Sequence, residues 1–185
     1  MMIASGEERH VGFIRGFDED TLREVVDTAE CDARLAEIDG QRSLPALLER
    51  VWLLKVLGRL DEALSLGDET VRFARMAGTR QDLLRSRVLR ATVLQYRGAY
   101  AAADQEMYTC AAEAEGQGWP SIAAFAHQHR GRNAYEAGDF AQARESFKRT
   151  LFLRREAGAD DAALESALRA IEAADKRRGP ALVLS

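Results

Sequence analysis

The sequence repeats a helix-ending pattern at an interval of 40 residues. Gly58, Gly98 and Gly138 are 40 apart, and an alanine follows each of them after five positions. Two further sets keep the spacing: Gly78, Gly118 and Gly158, and Leu44, Leu84, Ala124 and Leu164. Self-similarity over about 20–50 residues is typical of stacked supersecondary units, because none of them can bury its apolar face alone. The interval therefore predicts helix hairpins that stack in chain order.

Capping residues define where these helices begin. Ser43 precedes an apolar stripe, and Pro45 is tolerated in the first turn because no intrahelical donor is lost there. Thr79 and Asp82 are three residues apart, as in a capping box. Pro120 stands at the start of a later stripe. With abundant Ala, Leu, Arg and Glu and only three prolines, the composition predicts an all-helical protein.

The N-terminal region predicts one more helix. Asp18 or Asp20 offers an N-cap, and apolar residues from Leu22 through Ala36 recur at helical spacing until Gly40 ends the run. Residues 1–17 show no steady period, so Glu7 to Ile14 forms a short helix or frays.

At 185 residues the chain fits one domain, which we divide by the repeat interval. We expect an acidic N-terminal segment with one capping helix over 1–42, repeats over 43–78, 79–118 and 119–158, a C-terminal capping helix over 160–178, and an apolar tail over 179–185.

Charge is distributed unevenly along the chain. Residues 1–40 carry eleven acidic residues against four arginines, a balance of −7, whereas the remainder carries 22 basic against 19 acidic residues, a balance of +3. An acidic N-terminal region followed by a mildly basic remainder argues against nucleic-acid binding by the whole surface. We therefore expect a protein or peptide partner, with an acidic one as an option, and not a nucleic acid.

The sequence also predicts a cytoplasmic location. The N-terminus lacks the continuous apolar core of a secretory signal, and no run approaches the roughly 18–20 apolar residues of a membrane span. Cys31 and Cys110 are isolated and lack metal-ligand spacing, which fits a reducing compartment. We expect no membrane partner, no cofactor and no metal.

These patterns resemble the tetratricopeptide repeat in its longer, 40-residue form. The motif is a small residue in the first helix, G-D-[FY]-x-x-A at the turn and an aromatic four residues later. The best match is Gly131, Gly138, Asp139, Phe140, Ala143 and Phe147. The second is Ala91, Gly98, Tyr100, Ala103, Met107 and Cys110. The weakest is Val51, Gly58, Leu60 and Ala63, where Gly67 replaces the aromatic.

The resemblance implies a right-handed superhelix of antiparallel helix hairpins whose first helices line a concave groove for a peptide. The lysine and asparagine clamp of tetratricopeptide co-chaperones is absent, because its positions hold Leu48, Trp52, Leu89, Phe125 and His129. By the family's geometry the groove should present Lys55, Arg85, Thr92, Gln95, Tyr96, Phe125, Gln128, His129, Arg132 and Tyr135. Arginines among aromatics suit peptide recognition or stacking on single-stranded RNA, and the alternative is an ordinary solvated surface.

Arg50, Arg90 and Arg130 recur at the repeat interval, where the family usually has leucine. A binding interpretation makes them a ladder of guanidinium groups for an acidic or phosphorylated partner. A structural interpretation, which we favour, packs each stem against a neighbouring repeat and pairs each head with carbonyls or carboxylates.

No residue constellation indicates catalysis or metal binding. His127 and His129 are two residues apart on a helix and point about 200° apart, which does not suit chelation. We therefore predict a non-catalytic peptide-binding scaffold or adaptor. Two other readings stay open: a ligand-responsive regulatory domain with a pocket at His129, Arg130 and Tyr135, and a homodimer formed through a terminal repeat or the C-terminal tail.

Overall fold

A computed structural model describes residues 12–178, which form two short strands and eight helices. The elements are β1 (Ile14–Phe17), β2 (Glu24–Val26), α1 (Thr28–Glu37), α2 (Leu44–Val56), α3 (Leu60–Ala77), α4 (Arg80–Tyr96), α5 (Tyr100–Gly116), α6 (Pro120–Glu136), α7 (Phe140–Glu156) and α8 (Asp161–Arg178). The predicted all-α fold class is confirmed. The apolar tail from residue 179 lies outside the described residues.

The chain divides into two compact units. The first contains the residues up to Asp18 and Leu22–Ala99, and the second contains Glu19–Thr21 and the chain from Tyr100 onward. The division falls inside the stretch predicted as the second repeat, 79–118. In the first unit α2 packs on α1, α3 and α4, and α3 packs on α4. In the second unit α5, α6, α7 and α8 each pack on the next helix. Within each unit the helices thus pack mainly in chain order, as the repeat interval predicts.

The glycines at the repeat interval end helices as expected. Gly58, Gly98 and Gly138 all have positive φ, between 74° and 84°, a conformation that costs glycine little. The Gly58 amide donates to the Lys55 carbonyl at 3.0 Å, and this bond closes the last turn of α2. Gly78 differs, because it caps α3 with φ −97° in extended backbone.

The predicted capping residues also begin the helices. The Ser43 hydroxyl accepts from the Ala46 amide at the start of α2. Thr79 and Asp82 form a complete capping box at the start of α4, with both side chains bonded to backbone amides. Pro120 is the first residue of α6. These positions are confirmed because the cap chemistry is local and does not depend on tertiary packing.

The predicted helix from Asp18 or Asp20 to Gly40 is wrong in its first half. β1 and β2 pair antiparallel, with Phe17 opposite Glu24 and Ile14 opposite Val26, and α1 begins only at Thr28. Ile14 lies in β1 and the two residues before it form a turn, so the short helix proposed from Glu7 to Ile14 is also wrong there, and its residues 7–11 lie outside the described range. Two adjacent β-branched valines favour a strand, and the packing of Val26 against the core of the first unit outweighs the helical spacing.

Each unit has its own apolar core. In the first unit Val51, Leu53, Ala63 and Val93 belong to a buried cluster that also includes Cys31 of α1. In the second unit Phe147 of α7 is fully buried. A side chain at Gly131 of α6 would overlap the Phe147 ring, so this glycine allows the two helices to approach each other.

Candidate functional site

Glu24 of β2 lies in a polar contact with two helices of the first unit. Both of its carboxylate oxygens are 3.4 Å from Lys55 Nζ of α2, and Tyr96 of α4 donates its hydroxyl to Oε2. The Lys55 side chain is 1% exposed and that of Glu24 is 6% exposed. A charge removed from water needs a partner, so the lysine and the glutamate depend on each other for burial.

Arg23 adds a second cation at the same tyrosine. Its guanidinium carbon is 4.3 Å from the centre of the Tyr96 ring, and Nη2 donates to the Tyr96 carbonyl at 3.2 Å. Lys55 Nζ is 4.7 Å from the same ring centre. Tyr96 therefore contacts both Arg23 and Glu24. Its hydroxyl bonds to Glu24, and its ring and backbone carbonyl contact Arg23.

Apolar side chains accompany these polar contacts. The rings of Phe13 and Trp52 of α2 have centroids 6.4 Å apart, and Phe13, Ile14 and Val26 pack against the core cluster of the first unit. We call Trp52, Lys55 and Tyr96 the α2/α4 face, and residues 12–26 the N-terminal hairpin. The face thus contacts the hairpin through one aromatic side chain, one cation and one phenol.

Burial alternates along both strands of the N-terminal hairpin. In β1 Ile14 is half-buried while its neighbour Arg15 is exposed. In β2 the Glu24 side chain is buried and Val26 is half-buried, while Val25 between them is exposed. Side chains of a strand point alternately to its two faces, so one face of the hairpin is covered and the other faces solvent. The turn between the strands contains Leu22 with φ 56°, a rare conformation for a residue other than glycine.

The turn of the hairpin belongs to the second unit and has partners there. The Tyr135 hydroxyl of α6 donates to the Glu19 carbonyl at 2.9 Å, and Arg177 of α8 pairs with Asp20 at 3.0 Å. The Arg177 guanidinium also lies 5.5 Å from the centre of the Phe140 ring. A predicted groove residue of this unit, Tyr135, thus binds backbone of the N-terminal segment.

The three arginines at the repeat interval each pair with an aspartate. Arg50 pairs with Asp39 at 3.2 Å, Arg90 pairs with Asp68, and Arg130 pairs with Asp104 at 2.8 Å. The stem of Arg90 also lies against Gly67, where a methyl group would come within 3.3 Å of the arginine Cγ. This is the arrangement that the structural interpretation of the ladder predicts.

The remaining predicted groove residues are buried or half-buried. Thr92, Gln95, Gln128 and His129 are buried, and Thr92 donates its hydroxyl to the Leu89 carbonyl at 2.7 Å. Arg85, Phe125 and Arg132 are half-buried. Phe125 and His129 meet edge to face with centroids 4.6 Å apart. None of the thirteen predicted site residues is fully exposed.

His127 belongs to a separate polar cluster in the second unit. Its Nε2 is 2.7 Å from Glu115 Oε1 of α5, and Arg149 Nη2 of α7 is 2.5 Å from Oε2 of the same carboxylate. Burial lowers the pKa of His127, Glu115 raises it, and the charges of Arg130 and Arg149 add to the lowering. The bond from Arg149 and that from His127 lower the pKa of Glu115 against the effect of its burial.

Glu24 is the site residue that the sequence did not reveal. A signal was present: the stretch Phe13–Phe17, with three large apolar residues, and the residues Glu24–Val26 flank the polar turn residues Asp18–Thr21. Such a pattern is typical of a hairpin. Its contacts with Lys55 and Tyr96 join residues 31 and 72 positions away, which no local spacing could indicate.

Within residues 12–178 no group of three or more His, Cys, Asp or Glu side chains is arranged to hold a metal ion. Over the same range, no helix has both the length and the apolar character needed to cross a lipid bilayer. Neither a protein-family model nor a curated protein sequence matches this chain.

Proposed function

We propose that this chain is a non-catalytic adaptor of the tetratricopeptide type that binds an extended segment of a partner protein on the first helices of its repeats. The observation that supports this function most directly is the contact of Glu24 with Lys55 and Tyr96. It places an extended acidic segment, one from the chain itself, on α2 and α4. These are the helices that the family resemblance assigns to peptide binding.

The chemistry of this face favours an acidic partner. Residues 12–27, which include Phe13, Arg23 and Glu24 that contact it, carry two arginines against five acidic residues. Lys55 is otherwise a buried cation, so a partner that covers the face must supply an anion or leave an unpaired charge. We therefore propose a partner segment with a carboxylate at the position that Glu24 occupies, flanked by apolar residues.

A cytoplasmic location is part of the proposal. Cys31 and Cys110 are both free and buried, which suits a reducing compartment. Burial and the neighbouring carboxylates of Asp27, Glu30 and Asp32 raise the pKa of Cys31, and Arg15 opposes them. A raised pKa keeps this thiol protonated and poorly reactive, as expected of a packing residue rather than a nucleophile.

The ligand-responsive alternative has weaker support. Its pocket would require His129, Arg130 and Tyr135 to face a small molecule. Arg130 is paired with Asp104, the Tyr135 hydroxyl is bonded to the Glu19 carbonyl, and His129 is buried against Phe125. These side chains already have partners within the second unit, so we place this function second.

A peptide selection tests the proposed function. Random peptides displayed on phage are selected on the purified full chain, and the enriched peptides are measured by fluorescence anisotropy. We expect enrichment of extended acidic peptides whose affinity drops roughly tenfold or more in Lys55→Met, because a hydrogen bond to a charged group is lost. Lys148→Met removes an exposed lysine of α7 and serves as the matched control.

Two results would contradict the proposal. Selected peptides that bind Lys55→Met as tightly as the unsubstituted chain would place binding elsewhere. If no peptide is enriched while a nucleotide or metabolite raises the melting temperature of the full chain, the ligand-responsive alternative would replace it.

A further inference from the structure

We propose that the N-terminal hairpin is an internal ligand of the α2/α4 face, and that a partner's extended acidic segment binds by displacing it. This inference rests on the proposed function and adds to it a competitor built into the chain. It also specifies the partner: a segment in extended conformation that presents one carboxylate to Lys55 and Tyr96.

The first argument is that the hairpin contacts the face as a peptide ligand would. Its side chains contact α2 and α4, with the Phe13 ring near Trp52 and Glu24 bonded to Lys55 and Tyr96. An extended peptide is recognised in the same way, through individual side chains that contact the receptor surface. The hairpin is thus bound through side chains that another extended segment could supply.

The second argument is that little holds the hairpin together by itself. β1 has four residues and β2 has three, and an isolated two-stranded hairpin of this kind is marginally stable in water. The residues on its outer face include Phe17 and Val25, which are 45% and 47% exposed. Leu22 holds a left-handed backbone conformation that is unfavourable for a leucine and that would relax on release.

The third argument concerns the ion pair. Lys55 and Glu24 lose their hydration when they are buried. The free energy gained from their attraction is similar in size to the free energy lost with that hydration. When the hairpin leaves, both groups regain water. Separation of this ion pair on release of the hairpin therefore costs much less free energy than breaking a pair whose members stay buried. A competing carboxylate can then take the place of Glu24.

The hairpin also sets the affinity of the partner. A partner binds only the fraction of molecules in which the face is free, so its apparent affinity is reduced by that fraction. A substitution that weakens the hairpin without altering the face must then strengthen partner binding. An increase in affinity is unusual for a substitution that removes a contact, and this makes the proposal testable.

The test uses the full chain and a fluorescein-labelled synthetic peptide of residues 12–27. We expect the peptide to bind the Glu24→Gln chain at least about tenfold more tightly than the unsubstituted chain, since loss of a charge-assisted contact frees the face. Hydrogen exchange should become faster in residues 12–26 and stay unchanged in α2 and α4. Lys55→Met added to Glu24→Gln should remove the binding.

Matched controls separate charge from position. Glu19→Gln makes the same chemical change at an exposed side chain of the turn, and should leave peptide binding as in the unsubstituted chain. A peptide with glutamine at position 24 should bind the Glu24→Gln chain at least about tenfold more weakly than the natural peptide. Phe13→Ala loosens the hairpin through a different contact, so it provides an independent opened chain if Glu24→Gln does not fold.

The possible failures are distinguishable. If Glu24→Gln and Phe13→Ala bind the peptide no better than the unsubstituted chain, the hairpin is a fixed part of the fold and the inference is overturned. The proposed function survives that result if the selected peptides still bind in a Lys55-dependent manner. If no peptide binds even the opened chains, both proposals fail. A Glu24→Gln dimer in light scattering that excludes the peptide would assign the face to a second copy instead.

Discussion

Half-buried arginines of this protein pair with acidic residues of neighbouring helices. Arg34 of α1 donates to both oxygens of Glu49 of α2, at 2.6 and 3.1 Å, and Arg130 of α6 donates to Asp104 of α5. A paired guanidinium fixes both the distance and the orientation of its partner. Substitution of such an arginine would therefore lower stability, and a loss of partner binding in that variant would not by itself locate a binding site.

His127 makes stability depend on pH. Its pKa is lowered in the folded chain, whereas an unfolded histidine titrates near about 6.5, so between these values the unfolded chain binds more protons. The free energy of unfolding should therefore fall as the pH drops below about 6.5, by at most about 1.4 kcal/mol per pH unit for one proton. Urea denaturation at a series of pH values measures this slope.

The variant His127→Gln isolates the histidine. Glutamine keeps a hydrogen-bond donor for Glu115 but does not titrate, so its stability should vary less between roughly pH 5.5 and 7.5. Glu115 does not interfere in this range. Its pKa is lowered on folding, so its contribution is lost only below about pH 4.5. Equal pH slopes for the two proteins would show that His127 does not sense pH.

At the scale of helices, equivalent positions of the three predicted repeats balance one another in size. The residues on the first helices become smaller along the chain, in the order Val51, Ala91 and Gly131, and their counterparts on the second helices become larger, in the order Gly67, Met107 and Phe147. All six are buried. In the third repeat the contact is direct, because Gly131 leaves room for the Phe147 ring.

Gly131→Ala should lower the free energy of unfolding by about 1–3 kcal/mol, because the added methyl overpacks against Phe147. This loss outweighs the roughly 1 kcal/mol that alanine gains over glycine in a helix. The double variant Gly131→Ala with Phe147→Leu should recover part of the loss. Denaturant midpoints measured by circular dichroism check both.

Gly116→Ala is the matched control for this prediction. Gly116 is the last residue of α5, and a methyl group there meets no atom within 4 Å. Its stability should be unchanged or slightly higher. A Gly131→Ala variant as stable as the Gly116→Ala variant would mean that α6 and α7 do not approach each other at this position.

At the scale of the whole chain, the sequence predicted what depends on local signals. The helices from Leu44 to Arg178 follow from the glycine interval, the apolar stripes and caps such as Thr79 and Asp82. The N-terminal hairpin was missed because Leu22, Val25 and Val26 fit helical spacing, and a strand of three residues is too short to show alternation against it. Only their distant contacts decide between the two. The family resemblance predicted Lys55 and Tyr96 as groove residues, whereas their hydrogen bonds to Glu24 are visible only in the folded chain.

The main refolding phase should be complete within milliseconds. Within each unit the helices pack largely on their neighbours in the sequence, and proteins dominated by such short-range contacts fold in microseconds to milliseconds. Stopped-flow dilution from urea, followed by the fluorescence of Trp52 and Trp119, measures the rate. A main phase of seconds would indicate that long-range contacts, such as those of the N-terminal hairpin, limit folding.

The reciprocal sizes of Val51 and Gly67 and of Gly131 and Phe147 restrict how this protein could be re-engineered. A chimera that joins α2 to α7 would force a valine and a phenylalanine into the space of a glycine and a phenylalanine. The opposite chimera, α6 with α3, would replace the Phe147 ring beside Gly131 with a glycine and leave a void. Although the segments look alike, their order is therefore fixed by volume, and transposing them would require both members of a pair to be exchanged together.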